Sequence, residues 1–238
     1  FTRLGLYEEA RKGLEFMLRA SPTNQYKHYV HTDGKDYGIG VDYQISVTRY
    51  FGNGREESDF DHRGPNIEID DFGLFLIALS DYVAASGDQA FYQRWQPVLQ
   101  SKVADAILHN INDQGIIRAD SGPWEHHLPG RPFTFTSGVC GLGLEKFAEL
   151  QRASGFESAP YFDGAARLRT DILTNMRYEN RLLKGNALDR SPQDHYFFDA
   201  ATFELFANGF MLDTALFLSH MQAYDPELRV KTGARAGY

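Results

Sequence analysis

The run Asp120-Ser-Gly-Pro-Trp-Glu125-His-His-Leu-Pro-Gly-Arg131-Pro-Phe-Thr-Phe-Thr-Ser137 sets a carboxylic acid directly after a tryptophan. Glycine, proline and polar residues crowd the stretch, which reads as a loop between two helical segments. A carboxyl beside an indole suits acid catalysis. The ring is an apolar wall that disfavours charge on the acid, and its flat face can carry a sugar ring. Such chemistry needs a second carboxyl: when the anomeric centre is inverted, one group protonates the leaving oxygen and another activates water on the far face, roughly 6.5–9.5 Å away.

More acids stand in Gly64-Pro-Asn-Ile-Glu-Ile-Asp-Asp-Phe-Gly73, where Glu68, Asp70 and Asp71 precede a strongly apolar stretch. Acids at a helix N-terminus are also favoured by the helix dipole alone. From Asp59 to Asp70 the spacing imitates a calcium loop, but Arg63 occupies a position that needs an oxygen ligand and no helix precedes it. A solvated acidic loop is the better reading, and no metal is expected. The glycines after Ser137 do not follow a strand in a G-x-G-x-x-G pattern, so they suit close helix packing and not phosphate binding. No cofactor is implied.

The elements that must position these groups are helices. Leu6, Ala10, Leu14, Met17 and Leu18 define an apolar face over residues 4–20. A second helix runs through Leu74, Leu76, Ile77, Leu79, Tyr82 and Val83 to Gly87, and Asp88 caps a third that reaches about Asn110 with a break near Pro97. Another follows Ser137 and ends at Gly155; Ala159 to Met176 and Leu212 to Met221 are also helical, and Pro226 begins a last short one. Asp199 reads as a helix cap. Between residues 25 and 65, Gly, Tyr and Asp dominate, and V-D-Y-Q-I-S-V-T alternates as a strand does. A long inserted loop with one short hairpin is expected there, with Tyr37, Tyr43 or Tyr50 reaching the rim of a site. Residues 66–86 and 135–154 should be neighbouring helices whose N-terminal ends face one cavity.

Composition narrows the partners. Of 238 residues, 42% are hydrophobic and 24% charged, as in soluble globular domains, and the length fits a single domain over residues 1–238. A net charge of −8 argues against nucleic acid and anionic membranes. No apolar run is long enough to span a bilayer. The single cysteine, Cys140, excludes an internal disulfide and reads as a buried thiol.

Taken together, D-x-G-x-W-E, R-x-F-T-x-S and a following helix resemble the general-acid segment of glycoside hydrolase family 15, which includes the glucoamylases and glucodextranases. Residues 64–73 resemble that family's R-P-Q-x-D-x-x-G segment, with Glu68 in place of the usual Gln, and His195–Phe206 resembles its Y-x-D-A-S/A-x-L segment. The resemblance implies an all-α (α/α)6 toroid with short β-hairpin insertions, of which residues 1–238 would be about the middle half. It implies hydrolysis of α-glucosidic bonds with inversion, Glu125 as proton donor, and Trp124, Asp70, Glu68, Asp120 and Arg131 as substrate-binding residues. The water-activating Glu would lie beyond this chain, as would an upstream Arg-Asp sugar-binding pair. Two alternatives stand beside it: a carbohydrate-binding or regulatory module, like the family-15-like regions of phosphorylase kinase subunits, and a helical scaffold for protein partners. Linkage, compartment and oligomeric state are not fixed by the sequence.

Overall fold

The computed structural model describes residues 1–22, 24–57, 60–61, 64–127, 130–185 and 198–228, without the side chains of 60, 61, 227 and 228. Helices dominate: α1 (Tyr7–Arg19), α2 (Asp70–Ser86), α3 (Gln89–Leu99), α4 (Asp105–His109), α5 (Thr134–Ala153), α6 (Ala159–Asn175), α7 (Glu204–Ala207) and α8 (Thr214–Leu228). Among the described residues the strands are two-residue pieces in three antiparallel hairpins: β1 (Arg49–Tyr50) with β2 (Glu56–Glu57), β3 (Phe60–Asp61) with β4 (Gly64–Pro65), and β5 (Arg177–Tyr178) with β6 (Arg181–Leu182). The all-α class therefore holds. The excursion over 25–65 contains two hairpins, not the one expected.

Helix ends follow local chemistry. Gly87 closes α2 in the left-handed region, at φ 72°, which glycine adopts without a Cβ clash. Asp88 then accepts the Phe91 N–H at 3.1 Å and the Tyr82 hydroxyl at 2.8 Å, capping α3 while tying it to α2. Pro97 lacks an N–H, and the helical ladder loosens just after it into a π turn, Gln100–Ala104, before α4 continues.

The centre of the molecule is the seam between α2 and α5. A Cβ added to Gly73 would lie 2.6 Å from the Val139 carbonyl carbon and oxygen, and one at Gly143 would lie 2.7 Å from the Gly73 oxygen. Missing side chains thus let two backbones touch. Lys146 Nζ meets Asp81 Oδ1 at 2.7 Å farther along both helices, so the pair runs side by side in one direction. Phe147 of α5 carries Tyr92 from α3 and Tyr161 from α6 edge-on, with ring centroids 6.5 and 5.0 Å away. Gly164 of α6 fits against Leu108 and Leu144. α7 packs on α5 beyond α6.

Three expectations need correction. Pro226 lies inside α8 and does not begin a separate helix; α8 starts at Thr214, with Asp213 accepting the Leu216 N–H at 2.9 Å as its cap. Tyr43 is core: it is fully buried, and its hydroxyl donates to Glu56 Oε2 at 2.8 Å and accepts from the Tyr26 N–H. Tyr37 spends its hydroxyl on Asp33 at 2.8 Å, within the excursion. Asp59 and the start of the His195–Phe206 segment lie outside the described residues.

Candidate active site

Two runs distant in sequence are laced together at the N-terminal ends of α2 and α5. The Ile67 N–H donates to the Ser121 hydroxyl and the Ser121 N–H donates to the Ile67 carbonyl, both at 2.8 Å. Asp120 binds both helices at once. Its Oδ2 accepts the Ile69 N–H at 3.0 Å, one residue before α2, and the Thr136 hydroxyl of α5 donates to the same carboxylate at 3.2 Å. The expected approach of segments 66–86 and 135–154 is met at this carboxylate.

The carboxyl groups fall into an inner and an outer layer. Asp120 is 0% exposed and Asp70 is 2% exposed, so both stand behind the surface. Burial, then the neighbouring Asp70 charge, pushes Asp120 well above the usual carboxylate range, although the Ile69 N–H and Thr136 hydroxyl pull the other way. Burial also raises Asp70. Among the described residues neither Asp70 Oδ1 nor Glu68 Oε1 has a hydrogen-bond partner. Glu68 is half-buried and pushed up to about 8, first by burial and then by the charges of Asp70, Glu125 and Asp120. Four of the acids singled out in the sequence therefore share one electrostatic neighbourhood.

Glu125 forms the outer layer. It closes a 3-10 turn over Gly122–Trp124, its N–H donating to the Gly122 carbonyl at 3.1 Å. Its φ of 50° is left-handed, unusual for a residue with a Cβ. Gly122, also left-handed, lies against the Phe133 ring, where a side chain would collide. The shielding expected around the acid is absent: Pro123 is exposed, the Glu125 side chain is 56% exposed and Trp124 is 43% exposed. Desolvation falls on Glu68 instead. The cation that reaches Glu125 comes from the excursion: Arg49 of β1 lies 3.7 Å from Glu125 Oε1.

Trp124 is held from one side. The Lys184 ammonium sits 4.4 Å from its ring centroid, an attraction between a cation and the electron-rich ring face. The Lys184 carbonyl accepts the Thr134 N–H at 2.9 Å, so the residue that faces the indole also anchors the start of α5. Asp199 caps the turn at 200–203 as expected, accepting the Ala201 N–H at 2.9 Å. Burial raises it, while the Ala201 N–H, the Lys184 charge and the Trp124 indole draw it down. His126 stacks on Phe133 at 5.7 Å, and His127 meets the Gly64 carbonyl, joining the loop to β4. Arg131 is half-buried two residues before Phe133.

A cavity of about 600 Å³ opens beside this cluster, between α1, residues 45–50 and α2. Phe16 and Tyr50 form an edge-on wall, and Arg49 and Asp71 are among its polar members. Tyr50 alone of the three expected tyrosines lines it, its own hydroxyl bonded to Ser46 N and Gln44 O. A second groove of about 500 Å³, between α7 and α8, is walled by Phe203, Phe206, Met211, Phe217 and Met221. Its carboxylate, Asp213, is the α8 cap. Within the described residues no cluster of His, Cys, Asp and Glu has the arrangement of a metal centre, and no helix is long and apolar enough to cross a membrane. Cys140 is buried with its thiol directed at the Ile69 carbonyl, as expected of a structural residue.

Sequence reasoning did not find Arg49 or Lys184. Thr48-Arg49-Tyr50 carries no motif, and Lys184 sits in a hairpin exit with nothing to mark it. Their importance arises only from contacts across the chain.

No protein-family model matches the sequence, and no curated protein matches it. Solved structures do. A wild-type glycosidase superposes with a TM-score of 0.66 at 18% identity, covering 94% of this chain and 57% of that one. A glycosidase variant in complex with glucose gives 0.62 at 19%, covering 80% of this chain and 47% of the other. A rhamnosidase from Klebsiella oxytoca with rhamnose bound gives 0.60 at 14%, covering 94% and 38%. The chain thus spans roughly half the length of the structures it matches. What it shares with them is a mostly helical fold found in glycosidases.

Proposed function

We propose that the protein is a glycoside hydrolase acting on α-glucosidic bonds of oligo- or polysaccharides with inversion, and that its helices belong to an (α/α)6 toroid. Glu125 is the proton donor. A sugar rests on the face of Trp124 not covered by Lys184, and Glu68 is close enough to Glu125 to be raised by its charge. Asp70, Asp120 and Arg131 act on the site from behind or beside it: Asp120 fixes the two helix ends, and Asp70 keeps the interior of the cluster acidic. The observation that carries this reading is the convergence of Trp124, Glu125, Glu68 and Asp70 at one end of the α2–α5 seam, in a fold that glycosidases share. The neighbour complexed with glucose fits a carbohydrate as substrate.

One observation favours a second reading, a carbohydrate-binding module without hydrolysis. Glu125 is exposed and paired with Arg49, whereas a dedicated proton donor is usually kept from water. A single substitution separates the two. Glu125→Gln removes the proton and little else, so hydrolysis of an alkyl α-glucoside should fall by about 100-fold or more, with sugar affinity nearly unchanged. An aryl glucoside, whose leaving group hardly needs protonation, should lose far less. Equal losses on both substrates would remove Glu125 from the acid role; a wild-type protein that binds sugar and hydrolyses neither substrate would establish the binding module.

A further inference from the structure

The excursion over residues 25–65 is braced far more firmly than a surface decoration needs. Glu56 is a buried carboxylate; its Oε1 accepts the Val47 N–H at 2.9 Å and its Oε2 accepts the Tyr43 hydroxyl at 2.8 Å. The Thr48 hydroxyl donates to the Asn66 carbonyl at 3.0 Å, and the Glu68 N–H donates to the Val47 carbonyl at 2.8 Å. The Ser46 hydroxyl donates to the carbonyl of Arg49 itself at 2.8 Å. Residues 46–50 are therefore fixed against residues 66–68. A buried carboxylate is costly to desolvate and is tolerated where its hydrogen bonds hold something in place.

What is held in place is Arg49. Its guanidinium lies 3.7 Å from Glu125 Oε1, within electrostatic reach of Glu68, and it borders the same cavity as Asp71. Backbone and head group differ in character. The backbone is locked, yet the ion pair is long and both side chains are about half exposed, a class of pair that adds little to stability. A lock would be short and buried. A contact of this kind orients a carboxyl without burying it.

We propose that Arg49 is a positioning residue for Glu125: it keeps Oε1 of the carboxyl directed toward β1, so that in the sugar complex the other oxygen, Oε2, carries the proton to the glycosidic oxygen. This rests on the glycosidase reading above. It gives the excursion a specific task, which is to deliver one guanidinium to the acid from a distant segment of the chain. Arginine suits the task because its planar fork keeps a direction that a lysine ammonium does not.

The test compares Arg49→Met, Arg49→Lys and Arg55→Met in the intact protein, with an alkyl and an aryl α-glucoside as substrates. Arg55 stacks on Phe51 in the same hairpin, at 4.7 Å, and controls for general damage to it. Loss of positioning should lower kcat on the alkyl glucoside by about 10- to 100-fold while KM moves less than about threefold. Lysine should restore part of kcat. The aryl glucoside should be affected severalfold less, since its departure hardly uses the proton. Wild-type kcat in Arg49→Met, equal loss on both substrates, or the same loss in Arg55→Met would each overturn the proposal while leaving the glycosidase reading intact. Absence of hydrolysis by the wild type on either substrate would instead remove the glycosidase reading and this role with it.

Discussion

The α2–α5 seam and the α7–α8 end both bury ionisable groups, but groups of opposite kind. At the seam Glu68, Asp70 and Asp120 are carboxyls, which water deprivation pushes toward the neutral form. At the far end it is a base. His220 is fully buried among Phe203, Phe206 and Tyr224, accepts the Leu182 N–H at Nδ1, and faces the Thr202 hydroxyl at Nε2. Burial pushes it down to about 4, with Arg181 adding to the effect. The same physical cause moves acids up and a base down. The two ends should therefore answer acid and alkali in opposite senses, and packing differs as sharply: backbone touches backbone at the seam, while the end is filled by rings.

The hardest blow to the contrast is Gly73→Ala. Its new methyl meets the Val139 carbonyl, backbone that cannot step aside, and unfolding free energy should fall by about 3 kcal/mol. Gly138→Ala meets the Leu205 side chain from α7, its two methyls and its Cγ, which can yield where a backbone carbonyl cannot, and should cost clearly less. Chemical denaturation of the two variants measures the difference; equal losses would mean the seam is no tighter than the end.

Acid sharpens the contrast next. His220 binds a proton in the unfolded chain near the ordinary value of about 6.5 but in the folded chain only near 4. Between those values the unfolded chain holds more protons, so stability is highest above about 6.5 and falls as the pH drops toward 4. The expected loss is about 3 kcal/mol, and His220→Gln should flatten that limb of a denaturation-versus-pH curve.

The alkaline limb belongs to Glu68. Its folded value of about 8 lies above the usual 4.5, so the unfolded chain is the one that gives up its proton first. Its contribution is complete below 4.5 and is lost as the pH rises toward 8. Glu68→Gln should therefore be more stable than wild type at pH 8, by about 4 kcal/mol, and indistinguishable at pH 4.5. A variant less stable at pH 8 would show that the ionised carboxylate has a partner that compensates it.

Much of this arrangement was legible in the order of residues. Loops rich in Gly and Pro marked where helices stop, and acids ahead of apolar runs marked where they begin, so Asp88, Asp199, Gly87 and the break at Pro97 follow from local rules. The 64–73 and 120–137 runs converge because each opens a helix, and those two helices pack in the same direction. What escaped was non-local. Tyr43 sits in a polar, Gly-rich segment, yet it is core because Glu56, thirteen residues on, supplies a buried acceptor. The exposure of Glu125 escaped for the same reason. A tryptophan next in sequence need not shield its neighbour when that neighbour is itself left-handed and the chain turns there. Pro226 escaped because a proline near a helix end removes few hydrogen bonds and leaves the helix intact.

That left-handed turn bears on how the position can change over generations. A side chain at φ 50° carries a steric penalty of about 1–2 kcal/mol that glycine does not. Random drift, or a laboratory selection that reads only heat resistance, would thus favour the replacement of Glu125 by the one residue with no side chain at all. A lineage keeps a carboxylate at this site only while something reads that carboxylate itself. Thermostable descendants of this chain should be screened at codon 125 before their stability is counted as an improvement.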